Sequence, residues 1–106
     1  AISHFLSDLS ALIKDKKVLF VLDGDRKKIY SSGVETLPTL VKHSYDHFES
    51  TLDAYPNFYS IDLNAIFSEH YENNGQRFEW IYDYHWNELG HLVVFEAIRD
   101  SKFVIK

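Results

Sequence analysis

The sequence contains no cysteine, so a disulfide framework and a zinc site built on cysteine ligands are both excluded. No apolar stretch approaches the roughly 18–20 residues that a helix needs to span a bilayer, and no segment has the layout of a signal peptide. Basic residues are fewer than acidic ones: 11 Lys and Arg against 16 Asp and Glu give a net charge of −5. Nucleic acid and anionic membranes are therefore not expected as partners.

Methionine is absent as well, although an intact gene product normally begins with one. This absence leads us to expect that the chain is a piece excised or trimmed from a longer polypeptide. Its 106 residues suit one domain, and apolar and aromatic contents of 45% and 16% argue against disorder.

Hydrophobic periodicity predicts two strands separated by helices. The apolar run at 18–22 is typical of a parallel strand buried on both faces, and 58–62 is a second, short strand. Ser3 and Thr36 are candidate N-caps of the first two helices, and Pro38 suits a first turn. Helices are predicted at 3–15, 37–55, 63–71 and from 86 or 87 to 99. This alternation predicts an α/β fold with a parallel sheet in a three-layer, flavodoxin-like sandwich, and two strands are few for such a sheet.

An acid and a histidine, Asp83 and His85, stand just before the last predicted helix. Their spacing puts both side chains on one side of an extended segment, and functional groups of open α/β sheets gather at the carboxyl ends of the strands. The carboxylate could accept a hydrogen bond from one imidazole nitrogen and leave the other free to take a proton. Asn87, as N-cap, would hold this loop rigid.

Spacing alone favours a plainer interpretation of the same residues. Asp83 and Asn87 would cap the helix, and His85 would be a half-buried polar group beside Trp86. A metal site made of Asp83, His85 and His91 fits less well, because six positions separate the two histidines and place them on different helix faces.

The segment DYHWNELGHLVVFEAI, residues 83–98, resembles the last block of the SGNH (GDSL-type) hydrolases and acyltransferases. In that superfamily a closely spaced Asp and His precede the C-terminal helix and complete a Ser-His-Asp triad. Upstream, VLFVLDGDRKKIY resembles the fourth sheet strand of these proteins and its exit, and FYSIDLNAIF resembles the fifth. The resemblance implies that His85 is the general base, that Asp83 orients it, and that no cofactor is needed. The implied substrate is a small-molecule, carbohydrate or lipid ester.

Three family blocks are missing from the chain: the Gly-Asp-Ser that carries the nucleophile, the glycine of the second block, and the Gly-x-Asn-Asp of the third. Ser31, Ser32 and Ser60 lie in no nucleophile-elbow context, so triad chemistry lacks its attacking group. We therefore expect residues 1–106 to be a single C-terminal segment of an SGNH-like domain, inactive alone, with the N-terminal remainder of the same polypeptide as its partner. A non-catalytic module that keeps the fold for binding or assembly is the alternative.

The first strand ends in Asp23 and Asp25, which resemble the first motif of the haloacid-dehalogenase-type phosphatases. That resemblance implies attack on phosphorus by Asp23, acid–base chemistry by Asp25, and Mg²⁺ bound to both. The later acidic pair of that family is reduced here to Asp62, and Arg26 stands where the family prefers a small residue. The interpretation we favour is a turn in which both acids bond local backbone N–H groups and Arg26 pairs with either.

Several polar and aromatic residues are candidates for the edge of a cleft near His85. The cleft-lining candidates are Asp23, Asp25, Arg26, Trp86 and Asn87. Aromatic rings also alternate before the last helix, at Phe78, Trp80, Tyr82, Tyr84 and Trp86. They could form a platform for a sugar ring, although core packing is their commoner role. In an incomplete domain some would lose their cover and drive formation of a homo-oligomer.

Overall fold

A computed structural model gives the structure of the protein and describes residues 1–30 and 40–104. Four helices of 12 or 13 residues, one helix of five residues and two strands make up these ranges. In chain order they are Ile2–Ile13 (α1), Val18–Leu22 (β1), Arg26–Tyr30 (α2), Leu40–Leu52 (α3), Phe58–Asp62 (β2), Leu63–Asn74 (α4) and Glu88–Arg99 (α5). Among these helices none combines the length and the apolar character that crossing a membrane requires.

The two strands pair in parallel, and their register runs from Val18 opposite Phe58 to Leu22 opposite Asp62. Both strands have the bounds that the sequence predicts. A parallel pair needs a long crossover connection, and the chain between β1 and β2 supplies it with α2 and α3. The predicted α/β class is confirmed, and the carboxyl ends of both strands lie at the same edge of the sheet.

Alternate strand residues enter two separate hydrophobic clusters, as the period of two in a strand requires. Even-numbered Val18, Phe20 and Phe58 pack with side chains of α1 and α3, around the buried Leu6 and Leu52. Odd-numbered Val21 and Ile61 pack with side chains of α2, α4 and α5. The buried members of this second cluster are Ile29, Leu63, Phe67, Phe78, Val93 and Val94. The last helix is therefore fixed on the second cluster, and the loop before it enters the same cluster through Phe78.

The helix predicted for 37–55 is shorter at its C-terminal end than the apolar spacing suggests. It ends at Leu52, and a turn follows in which the Tyr55 N–H donates to the Leu52 carbonyl at 2.8 Å. The Tyr55 ring still packs on Phe58, with ring centroids 5.2 Å apart. The turn therefore places an apolar contact residue at a position that continues the helical spacing, although the helix has ended. The predicted cap Thr36 and the predicted first-turn Pro38 lie outside the described residues.

Other helix ends differ from prediction for local reasons. The first helix begins at Ile2 with Ala1 in the N-cap position, so the prediction of Ser3 as cap is wrong. The α4 helix was predicted to end at residue 71 but continues to Asn74. It ends there because Gly75 adopts a left-handed φ of 67° and donates its N–H to the Tyr71 carbonyl at 2.7 Å. The five-residue α2 was not predicted, since it spans too few positions to show a period.

Candidate active site

Residues 77–87, which we call the His85 loop, fold back on themselves before α5. Glu79 and Trp86 form an isolated antiparallel bridge, and the Trp80 N–H donates to the His85 carbonyl at 3.1 Å. Phe78 is fully buried at the base of the loop and stacks on Phe67 of α4 with ring centroids 4.3 Å apart. The base of the loop is thus held by the core, while its tip extends into solvent.

Asn87 closes the His85 loop and begins α5, as the sequence predicts. Its side-chain oxygen accepts the Gly90 N–H at 2.9 Å, which is the N-cap interaction. Its amide nitrogen donates to the Arg77 carbonyl at 3.0 Å and to the Glu79 carbonyl at 3.3 Å. One side chain therefore caps the helix and connects it to the other end of the loop. This structural role of Asn87 does not depend on the cleft-lining role predicted for it.

Asp83 and His85 lie side by side at the tip of the loop. Asp83 Oδ2 is 3.3 Å from His85 Nδ1, and Asp83 Oδ1 accepts the backbone N–H of His85 at 3.0 Å. The His85 side chain is 87% exposed, so the interpretation that placed it half-buried beside Trp86 is wrong. Asp83 bonds the loop rather than a helix terminus, so its predicted role as a helix cap is also wrong. Among the hydrogen bonds and ion pairs of the described residues, none involves Nε2 of His85.

Asp23, at the carboxyl end of β1, meets the His85 loop directly. Its Oδ1 accepts the Gly24 N–H at 2.8 Å and the indole N–H of Trp86 at 3.1 Å. Its Oδ2 accepts from Arg26 at 2.9 Å, and its backbone carbonyl accepts from the Tyr45 hydroxyl at 2.6 Å. The bond to the Gly24 N–H and the pair with Arg26 are those of the turn that the sequence favours. The bond to Trp86 brings the two sequence motifs to one edge of the sheet.

The side chain of Arg26, at the start of α2, reaches the His85 loop and is only 13% exposed. Besides Asp23, it donates to the Gly24 carbonyl at 3.1 Å and to the Tyr84 carbonyl at 3.2 Å. Its Nε lies 3.5 Å from Oε2 of Glu79 but makes no hydrogen bond. The guanidinium is thus surrounded by acceptors from both motifs.

Glu79 is a nearly buried carboxylate that the sequence gave no reason to select. Arg26 and Arg77 approach its two oxygens, and the Tyr30 hydroxyl donates to it in a short hydrogen bond. The same hydroxyl accepts the Phe78 N–H at 3.1 Å. Burial, and then the hydrogen bond to Glu79, raises the pKa of Tyr30 to about 12. This network fixes the start of the His85 loop on α2.

Asp25 and the histidines do not assemble a metal site. The described ranges contain no group of three or more His, Asp or Glu side chains that could hold a metal ion. The backbone N–H of Asp25 donates to Asn64 at 2.7 Å, and the His91 ring meets the edge of Trp86 with centroids 5.6 Å apart. The alternative that joins Asp83, His85 and His91 around a metal therefore has no support.

The alternating aromatic residues divide between core and surface. Phe78 and the half-buried Trp86 pack in the second cluster, whereas Trp80, Tyr82 and Tyr84 are more than half exposed. The exposed rings border a cavity of about 550 Å³ along the loop, which Asp83 also lines. Comparisons with protein-family models, with curated proteins and with solved structures found no match to this chain.

Proposed function

We propose that the chain is the C-terminal part of an SGNH-type serine esterase or acyltransferase, to which it contributes the His and Asp of a Ser-His-Asp triad. The observation that carries the proposal is the pair itself: Asp83 Oδ2 lies 3.3 Å from His85 Nδ1 while Nε2 faces solvent. A carboxylate in this position selects the tautomer with the proton on Nδ1, and the lone pair on Nε2 is then available to a hydroxyl.

The location of the pair supports the proposal. Trp86 bonds Asp23 at 3.1 Å, and the carbonyl of Tyr84 bonds Arg26 at 3.2 Å, so the residues on both sides of His85 contact the carboxyl end of β1 and its exit. Active sites of open parallel sheets form at that edge. In the proposed function, the nucleophile comes from a neighbouring strand end at this same edge.

The nucleophile in this proposal comes from another stretch of polypeptide, which also completes a three-layer, flavodoxin-like sandwich around β1 and β2. Ser60 is inside β2, opposite Phe20, and lines a cavity with the end of α3 rather than with the His85 loop. Ser31 and Ser32 lie outside the described residues. Within the described ranges no serine bonds His85, whose partner is Asp83, so these ranges supply no attacking group.

Each residue of the pair has a defined task in the proposed reaction. His85 Nε2 takes the proton of the incoming serine as its oxygen attacks the ester carbonyl, and Asp83 stabilises the imidazolium that forms. The same proton then passes to the departing alkoxide as the tetrahedral intermediate collapses to an acyl-enzyme. Attack by water completes hydrolysis, whereas attack by an acceptor hydroxyl completes transfer. The ester belongs to a small molecule, a carbohydrate or a lipid.

Two other functions have weaker support. A non-catalytic binding or assembly module is favoured by the exposed Trp80, Tyr82 and Tyr84, which suit a partner surface or self-association. A Mg²⁺-dependent phosphatase that uses Asp23 and Asp25 is disfavoured, because the Asp23 carboxylate already accepts from Gly24, Arg26 and Trp86. A nucleophilic carboxylate needs a free oxygen facing the substrate.

The test is hydrolysis of a nitrophenyl acetate by the longer polypeptide that joins the serine block to this chain. His85→Ala should lower the rate about 100-fold or more, since it removes the general base. His4→Ala is the matched control, because His4 also lies 3.3 Å from an acid, Asp8, but on the exposed face of α1. Equal rates for the two variants, or His85-independent activity of this chain alone, would contradict the proposal.

A further inference from the structure

The side chain of Arg26 is committed to protein groups rather than open to a substrate. It is 13% exposed, and its three nitrogens face Asp23, Glu79, and the carbonyls of Gly24 and Tyr84. A substrate-binding arginine needs a free edge of the guanidinium, and here each terminal nitrogen already donates to an acceptor of the chain. These contacts suit Arg26 to hold protein groups in place.

One of these contacts acts on the peptide unit that joins Tyr84 to His85. The carbonyl of that unit accepts from Arg26 at 3.2 Å, and its N–H donates to Asp83 Oδ1 at 3.0 Å. The two polar ends of a single peptide plane are therefore bonded, one to Arg26 at the start of α2 and the other to the acid of the pair. Hydrogen bonds joined through one peptide polarise one another and strengthen together.

We infer that Arg26 is a positioning residue that fixes the 84–85 peptide plane and thereby keeps Asp83 against the imidazole of His85. This inference rests on the proposed function, in which that imidazole is the base. Without the bond from Arg26, this peptide loses its connection to α2, and the Asp83 carboxylate shifts with its N–H partner. The imidazole then loses the acceptor that selects its tautomer.

Lysine cannot replace Arg26 in this role. Arginine reaches Asp23, Tyr84 and Glu79 at once because its five donors form a planar fork, whereas an ammonium group is a compact point charge. Arg26→Lys therefore keeps the charge and removes the connection between the end of β1 and the loop. Arg77→Lys is the matched control, since Arg77 also approaches Glu79, at 3.6 Å, but is 63% exposed. Among the hydrogen bonds and ion pairs of the described residues, none joins Arg77 to Asp23 or to Tyr84.

The experiment measures the tautomer of His85 in this chain by ¹⁵N-edited NMR of the imidazole, at a pH where the ring is neutral. Free histidine favours the Nε2–H form, so the comparison is with His4, which meets Asp8 through Nε2. We expect a larger Nδ1–H share in His85 than in His4, and we call this excess the Nδ1–H preference of His85. In Arg26→Lys the preference of His85 should be lost, a change of at most about fivefold in the tautomer ratio for so exposed a pair. Arg77→Lys should retain the wild-type ratio.

The outcomes separate this inference from the proposed function. No Nδ1–H preference in the wild type means that the Asp83–His85 pair does not form, which overturns the proposed function and the inference together. A preference that survives in folded Arg26→Lys overturns the inference alone. Where Arg26→Lys does not fold, Asp23→Asn replaces it, because the amide keeps an acceptor for Trp86 but turns a donor toward Arg26. Loss of the preference there supports the inference, and retention overturns it.

Discussion

Trp86 donates its indole N–H to the carboxylate of Asp23 at 3.1 Å, across 63 positions of sequence. The bond joins the end of β1 to the residue that directly follows the candidate base. Since Trp86 also packs in the second hydrophobic cluster, its ring is held by apolar contacts while its N–H holds the acid. The His85 loop is therefore positioned by the core and the sheet edge together.

We predict a measurable coupling between these two side chains in a double-mutant cycle. Trp86→Phe and Asp23→Ala should each destabilise the fold, and their combination should cost less than the sum by about 1–2 kcal/mol, as expected for a hydrogen bond to a charged acceptor. The measurement is the free energy of unfolding in urea. Trp80→Phe, which alters the exposed tryptophan of the same loop, is the control and should show no coupling to Asp23. If neither tryptophan shows a coupling free energy with Asp23, the Trp86–Asp23 bond does not contribute to stability.

Asn87 is the second position at which stability should respond. Asn87→Ala removes the cap of α5 and two bonds to loop carbonyls, so we expect a loss of about 1–2 kcal/mol in the free energy of unfolding. Asn74→Ala serves as control, because Asn74 makes only exposed bonds, both to His70 of its own helix, and alanine favours helix. The measurement is thermal and urea unfolding of both variants. An Asn87→Ala protein as stable as Asn74→Ala would contradict the capping role of Asn87.

Gly90 is expected to tolerate no larger residue, although it lies inside a helix. A methyl group there would meet the Phe78 carbonyl at 2.4 Å and the Trp86 Cβ at 2.9 Å. Alanine gains about 1 kcal/mol of helix propensity over glycine, but a forced backbone shift costs about 1–3 kcal/mol and should outweigh it. Gly90→Ala should thus lower the unfolding free energy and perturb the amide resonances of the His85 loop. A variant more stable than wild type would mean that the loop moves away without cost.

The features predicted from sequence are those that local chemistry decides. The bounds of β1 and β2 follow from apolar runs cut by polar residues, and Asn87 caps α5 because its side chain bonds a backbone N–H three positions on. The exposure of His85 was not predicted, since an imidazole beside a tryptophan is compatible with either environment. Glu79 was missed because its partner Tyr30 lies 49 positions away, and no local pattern marks such a pair. Likewise, the favoured turn at Asp23 gave no indication of its bond to Trp86.

The phenol of Tyr30 gives a prediction at high pH. Burial and the hydrogen bond to Glu79 raise its pKa from the ordinary 10.0 to about 12 in the folded protein. The unfolded chain therefore loses this proton first, so the stabilisation is complete below pH 10 and is lost as the pH rises from 10 to 12. Tyr45, whose pKa is also raised by burial and by nearby acids, contributes with the same sign.

Tyr30→Phe should remove the larger part of this pH dependence. Urea unfolding at several pH values would give the free energy, and tyrosinate absorbance would show the step near pH 12 in the wild type but not in the variant. Tyr82→Phe removes a phenol of a residue that is 97% exposed, and it controls for the loss of one tyrosine. If Tyr30→Phe follows the wild-type curve from pH 10 to 12, the Tyr30–Glu79 bond does not hold the loop in solution. In that case Arg26, Asn87 and the buried Phe78 would hold the start of the His85 loop without Tyr30.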